Sequence, residues 1–349
     1  MAAAQRRWRV ARFQILINPV FDERLRSEPD VELVLSPLPK SDADVSRALA
    51  GADIYHVSSA RNEMAQYAFV TSTLLERNPQ LLAISTYGAG YDSVEVDACT
   101  RAGVIVMNQA GANRDSVAEH AIALILGVVH RLVESDRKLR SHRGFSREDL
   151  MGHEVKGMTL GLVGLGHVGR TVASMARILG MEVIAADPFL DAAEMQRRGA
   201  RKVELDELLS SADIVSLHCP RDSTTVGMIG APQYARMKKG SYFISTARGG
   251  IHDERALADS LRSGHLAGAG LDVWEPEPPP LDHPLLTLDN VFATYHTAGV
   301  THEARRNIAT MGAEQIVRLV RGDKPPRLVN PQAWDAFLER ARQRERNAA

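Results

Sequence analysis

Apolar positions along the chain fall in short runs separated by stretches of helical spacing. In the first third, Phe13–Asn18, Val31–Leu35, Ile54–Val57, Leu81–Ser85 and Val104–Met107 predict strands. Between them, Asp42–Ala48 and Gln66–Glu76 open on polar residues and predict helices. A long helix is predicted from Asp115 to Leu139, where Ala118, Ile122, Ile125, Val129 and Leu132 recur three and four residues apart. After Gly157 the alternation restarts. Strands are predicted at Thr159–Val163, Glu182–Ala186, Ile214–His218, Tyr242–Ser245, Ala267–Leu271 and Val291–Thr294. Prolines make Pro276–Pro284 a loop. Thr301–Val320 reads as a second long helix, and Glu339–Arg346 as a solvated helix end. Strands alternating with helices imply an α/β fold whose parallel sheets are covered by helices.

Composition narrows the classes. A chain of 349 residues exceeds one ordinary core and predicts two domains. Its formal net charge of −1 excludes a general attraction to nucleic acid or to an anionic membrane surface. No apolar window reaches membrane-spanning length. Cys99 and Cys219 stand apart, outside any CxxC or zinc-type spacing. They are expected to be free thiols in a reducing compartment, with no metal site and the cytoplasm as location. The arginine-bearing start Met1–Arg12 is followed by no apolar signal core and reads as an unstructured leader.

Gly164-Leu165-Gly166-His167-Val168-Gly169 is a GxGxxG that follows the strand Thr159–Val163 and opens a predicted helix, Arg170–Leu179. In that context Gly164 serves a tight turn, Gly166 admits a pyrophosphate close to the backbone, and Gly169 lets helix and strand approach. The helix N-terminus would face the phosphates. Asp187 ends the next strand, where a carboxylate accepts from ribose hydroxyls and repels a 2′-phosphate. Pro188 and Phe189 follow, with no arginine to receive that phosphate, so the cofactor expected is NAD rather than NADP.

Three further segments sit at predicted C-terminal strand ends, the edge where open α/β sheets bind ligands. They are Thr246-Ala247-Arg248-Gly249-Gly250, Leu271 to Pro278, and Thr294 to Gly299. Arg248 offers a planar fork for a carboxylate. His296 can act as acid in one direction and base in the other. Glu277 would orient that imidazole and favour its charged form.

From about Leu81 to Gly322 the chain resembles the D-isomer-specific 2-hydroxyacid dehydrogenases. The resemblance rests on Gly88-Ala89-Gly90-Tyr91-Asp92, Val117-Ala118-Glu119-His120, the GxGxxG, Leu217-His218-Cys219-Pro220, Ala247-Arg248-Gly249-Gly250, Asp272 to Pro278, and His296 with its flanks. It implies two doubly wound parallel-sheet domains. A Rossmann NAD-binding domain, 113–300, would be inserted into a flavodoxin-like substrate domain made of 1–112 and 301–349. It implies Arg248, Glu277 and His296 as the catalytic set, and Ala89 and Gly90 amides, with Arg248 and His296, on the substrate. Asp272 would hold the nicotinamide carboxamide. Gly164, Gly166, His167, Val168, Gly169, Asp187, His218, Cys219, Pro220, Thr224, Thr246, Ala247, Arg248 and His296 would complete the cofactor site. The resemblance further implies a homodimer built around the helix after Asp115, and no C-terminal regulatory domain.

The chain departs from the family pattern at Tyr295 (usually Pro), Ser245 (often Asn), Tyr87 (commonly small) and Phe145 (commonly Trp). The activity implied is hydride transfer between NADH and a small 2-oxo acid. The rivals are formate oxidation, which expects Gln where Glu277 stands, phosphite oxidation, and an NAD-sensing corepressor role.

Overall fold

The computed structural model describes residues 7–59 and 63–346. The chain divides into two compact units. One comprises the chain up to Asn113 together with the chain from His302 on, the other Arg114–Thr301.

The first unit contains β1 (Trp8–Phe13), β2 (Val31–Ser36), β3 (Ile54–Ser58), β4 (Ala83–Tyr87) and β5 (Ile105–Met107). All pairings are parallel, in the order β2-β1-β3-β4-β5, the flavodoxin-like arrangement. β3 and β4 are buried at every position, so they show no apolar–polar alternation, and they bury His56, Ser58, Ser85 and Thr86 among the apolar residues. Helices cover both faces; His302–Val320 contributes Ile308, Ala309, Ala313 and Ile316 to the core around Phe21, Leu25 and Ile105.

Three local expectations are corrected here. β1 starts at Trp8, inside the supposed leader, and ends where a strand was expected to begin. Its buried Arg12 is matched by both carboxylate oxygens of Asp22, at 3.0 and 2.6 Å. Met1–Arg6 lie outside the described residues. The helix expected over Gln66–Glu76 is a three-residue turn, Gln66–Ala68, followed by a helix, Ser72–Arg77, capped by Thr71. Val70 between them bridges to Val94, which breaks the helical path. The stretch Glu339–Arg346 ends a helix as expected, with Glu339, Arg342, Gln343 and Arg346 exposed, but Arg344 is drawn inward. In the helix Trp334–Arg346, Arg344 binds Asp53 through Nε and Nη2, at 2.6 and 2.9 Å, and stacks on Trp8 at 4.4 Å.

The second unit contains β6 (Thr159–Val163), β7 (Glu182–Ala186), β8 (Arg201–Lys202), β9 (Ile214–Leu217), β10 (Ser241–Ser245), β11 (Leu266–Leu271) and β12 (Val291–Ala293). Its parallel order, β12-β11-β10-β9-β6-β7-β8, reverses direction between β6 and β9. That reversal is the switch point of a Rossmann sheet, where a crevice opens at the strand ends. Two-residue β8 carries no apolar signal and escapes prediction. The single long helix expected from Asp115 is two helices, Arg114–Val129 and Leu132–Ser141, bent by 61°. The break is at Arg131, left-handed at φ +55°, whose guanidinium is held by both oxygens of Glu134 and the carbonyl of Asp149. Among the described residues no single helix is long and apolar enough to cross a membrane.

Candidate active site

The loop after β6 behaves as its glycines demand. Gly164 is left-handed at φ +92°, and a Cβ there would lie 2.9 Å from the backbone of His218 and Cys219. At Gly169 a Cβ would lie 2.3 Å from the Gly164 carbonyl, so only glycine lets the helix His167–Ile178 start this close to the strand. At Gly166, the N-cap, a Cβ would meet nothing within 4 Å, leaving room over the helix N-terminus for a phosphate. His167 and Val168 supply the first two residues of that helix.

Asp187 closes the far side. Its Oδ2 accepts from the Leu165 amide at 2.9 Å and its Oδ1 from the Phe189 amide at 3.0 Å. A carboxylate has about four acceptor directions, so the remaining ones stay open to hydroxyls. The fold does bring an arginine to this loop, Arg198, through the Leu165 carbonyl at 2.8 Å. Its Nε is committed to Glu194 at 2.6 Å.

The segment after β9 lies against the same loop. Burial pushes the His218 imidazole down to about 4, so it is neutral, with Nε2 2.9 Å from the Ser216 hydroxyl. Burial likewise pushes the Cys219 thiol up to about 11, which keeps it from being a nucleophile. Pro220 is exposed. Thr224 is taken up locally, donating through N and Oγ1 to Asp222.

The ends of β10, β11 and β12 build a second cluster. Past Thr246 and Ala247, the half-buried Arg248 donates from Nη1 to the Ala247 carbonyl at 2.7 Å. A Cβ on Gly249 would sit 2.0 Å from the Trp274 carbonyl; its absence lets the arginine turn meet the Trp274–Pro278 turn. Glu277 Oε1 accepts from the Trp274 amide at 3.0 Å, and its Oε2 lies 2.9 Å from His296 Nδ1.

His296 has a left-handed backbone, φ +48°, which is uncommon for a residue other than glycine. Asp272, fully buried at the end of β11, holds that conformation. Its carbonyl accepts from His296 N at 2.6 Å, and its carboxylate from Thr294 Oγ1, Thr297 N and Ala298 N at 2.6, 2.8 and 2.9 Å. His296 Nε2 has no hydrogen-bond partner among the described residues, and the side chain is 30% exposed. The buried hydroxyls of Ser245 and Thr246 also lack partners there, two orphaned polar atoms at the sheet edge where a ligand would lie.

In the first unit, the carbonyls of Gly88 and Ala89 are tied back to Gln109 N and Asn108 Nδ2, both at 2.8 Å. The amides of Ala89 and Gly90 have no partner among the described residues and can receive an anion.

Several contributors carry no functional signal when read alone. His120 Nε2 lies 2.9 Å from Thr294 Oγ1 and 3.5 Å from Asp272. Trp274 bridges the site by donating from Nε1 to the Thr294 carbonyl at 2.9 Å. Ser216 holds His218, and Glu254 accepts from the Glu275 amide at 2.8 Å. Only His120 and Trp274 fall inside segments that resemble the family.

The family model "D-isomer specific 2-hydroxyacid dehydrogenase, NAD binding domain" matches residues 122–298. The chain is 38% identical over 291 residues to a D-3-phosphoglycerate dehydrogenase of Archaeoglobus fulgidus, covering 83% of this chain and 52% of that protein. It is 38% identical over 264 residues to a glyoxylate reductase of Korarchaeum cryptofilum, covering 75% of this chain and 80% of that one. A glyoxylate reductase crystal structure from Paecilomyes thermophila superposes with a TM-score of 0.83 at 27% identity, over 93% of this chain and 99% of that one. The chain belongs to the D-isomer specific 2-hydroxyacid dehydrogenase family. It spans about half the length of the phosphoglycerate dehydrogenase it matches. The matched segment is an NAD-binding domain, and the glycine cradle, the open N-terminus at Gly166 and the Asp187 carboxylate fit NAD.

Proposed function

We propose that this protein is an NAD-dependent D-2-hydroxyacid dehydrogenase acting on a small 2-oxo acid. The observation that carries the reading is the His296–Glu277 contact of 2.9 Å, beside a dinucleotide cradle in the same unit. NAD(H), when bound, supplies or takes up the hydride. The cradle Gly164–Gly169 would bind its pyrophosphate and Asp187 its adenosine ribose. His218, Cys219, Pro220, Thr224, Thr246, Ala247 and Asp272 would line the remainder.

In the direction of reduction, His296 gives a proton from Nε2 to the substrate's developing alkoxide, and in oxidation it takes the proton back. Glu277, bonded at Nδ1, fixes the ring so that Nε2 points outward. Arg248 binds the substrate carboxylate through two parallel N–H groups. The second unit acts as the NAD-binding domain and the first as the substrate domain.

The relatives named above as phosphoglycerate dehydrogenase and glyoxylate reductase support the substrate class without choosing a member. Family likeness, with exposed Leu132, Leu139 and Met151 after the helix Arg114–Val129, supports a homodimer. The free thiols Cys99 and Cys219 support a reducing, cytoplasmic setting. The deciding experiment is NADH oxidation with a panel of 2-oxo acids, among them glyoxylate, hydroxypyruvate, pyruvate and phosphohydroxypyruvate. Turnover of at least one, with a D-configured product, is the expected result. NADH binding without turnover of any refutes the enzyme reading and favours a cofactor-sensing role.

A further inference from the structure

Glu254 is the first residue of the helix Glu254–Arg262, a position where acidic side chains normally face solvent. Here the side chain turns inward and is only 8% exposed. Oε1 accepts from the Glu275 amide at 2.8 Å, and Oε2 lies 2.9 Å from His283 Nε2. The His283 Nδ1 accepts from the Leu285 amide at 3.3 Å, which leaves the ring hydrogen on Nε2, yet the alignment makes no hydrogen bond and Glu254 Oε2 stays buried without a hydrogen-bond partner among the described residues. The same imidazole stands edge-on to Trp274, ring centres 5.7 Å apart. From Trp274 the chain of contacts runs to Glu277 Oε1 at 3.0 Å and from Glu277 Oε2 to His296 at 2.9 Å.

We infer that Glu254 is a positioning residue for the reaction: by gripping the Glu275 amide, it fixes the Trp274–Glu277 turn through which Glu277 orients His296. The inference rests on the dehydrogenase reading of that site. It accounts for a carboxylate kept in a costly place. Facing it are Asp253 on its own helix cap, Glu275 and Glu277 on the turn, and His283 beyond. Of the cations, Arg221 is 3.4 Å from Glu275, and Arg248 sits on the turn that packs against Trp274. Burial first, then these like charges, push Glu254 up to about 7. The charged form makes the stronger, charge-assisted bond to the Glu275 amide. Protonation therefore loosens the grip on the turn.

The test compares wild type with Glu254→Gln, which keeps the size and one carbonyl but is neutral at every pH. For 2-oxo acid reduction the wild-type rate should fall as pH drops through about 7. Glu254→Gln should lose that limb and stay near the low-pH level throughout. At pH 8 its kcat should be lower by about tenfold to a hundredfold, the usual cost of a small misplacement, with KM for both substrates within about twofold. A native pH profile and kcat in the variant overturn the inference.

A second measurement needs neither the variant nor turnover. By NMR of the wild-type protein, the Glu275 amide proton should titrate with a midpoint near pH 7. The His296 ring signals, assigned with His296→Gln, should respond with that midpoint. A Glu275 step that His296 does not share also overturns it. Absence of turnover in wild type would instead refute the dehydrogenase reading and leave this NMR arm to decide the coupling.

Discussion

Asp272→Asn tests how the fold holds His296, the proposed acid–base group. The native carboxylate is fully buried and satisfies three donors, Thr294 Oγ1, Thr297 N and Ala298 N. Asparagine keeps one oxygen and turns an NH2 toward at least one backbone N–H. A hydrogen bond to a charged group contributes about 1.5–3 kcal/mol, and a stranded buried donor costs about 1–3 kcal/mol. Because the remaining bonds partly re-form, the expected loss is roughly 2–4 kcal/mol. That is comparable to or larger than the ~1–3 kcal/mol needed to keep His296 at φ +48°. The loop from Thr294 to Ala298 should then relax toward ordinary backbone angles, carrying the imidazole away from Glu277. Hydrogen exchange read at the Thr297 and Ala298 amides should speed up by about 30-fold or more, as 2 kcal/mol requires. Turnover should fall while NADH binding changes less. Native protection at both amides together with native turnover would refute the argument that Asp272 locks this loop.

Three other outcomes are expected. Asp187→Ala should narrow the preference for NADH over NADPH by about tenfold, or 1.4 kcal/mol; equal efficiency of the native protein with both cofactors would contradict the role given to Asp187. His296→Ala should lower turnover by about 10² to 10⁴, and Arg248→Ala should raise KM as well as lower kcat; near-native turnover in the histidine variant would remove it from the mechanism. Stability should fall in mild acid because burial holds His56 at about 3 and His252 at about 4, below the roughly 6.5 of an unfolded histidine. The unfolded chain thus binds more protons below pH 6.5, and each histidine withdraws about 2 kcal/mol between pH 6.5 and 5. Glu254, raised to about 7, works the other way between pH 7 and 4.5. His56→Gln should flatten the slope of denaturant stability against pH, and an unchanged slope would show that His56 does not carry it.

The sequence by itself determined what depends on a few adjacent residues. Apolar runs such as Thr159–Val163 and Glu182–Ala186 are strands in the structure with the expected bounds, because a strand buried on both faces is selected by hydrophobic content alone. The GxGxxG was legible because its glycines answer local constraints, a positive φ at Gly164 and a missing Cβ at Gly169. Arg248, Glu277 and His296 could be nominated by residue type and strand-end position. Only the fold brings Glu277 to 2.9 Å from His296 across 19 residues of chain.

Other features were decided by partners remote in sequence. Trp8–Arg12 looked like the end of a charged leader until Asp22 and Asp53 supplied partners for Arg12 and for the Arg344 stacked on Trp8. The helical periodicity from Asp115 to Leu139 runs unbroken through Arg131, yet Glu134 and the Asp149 carbonyl hold that residue left-handed and bend the chain. Glu254 carries no signal in the sequence, and only folding turns it under the Trp274–Glu277 turn. Periodicity reports which face of an element is buried. It carries no record of which distant charge will meet a buried one, because that pairing exists only once the sheets have formed.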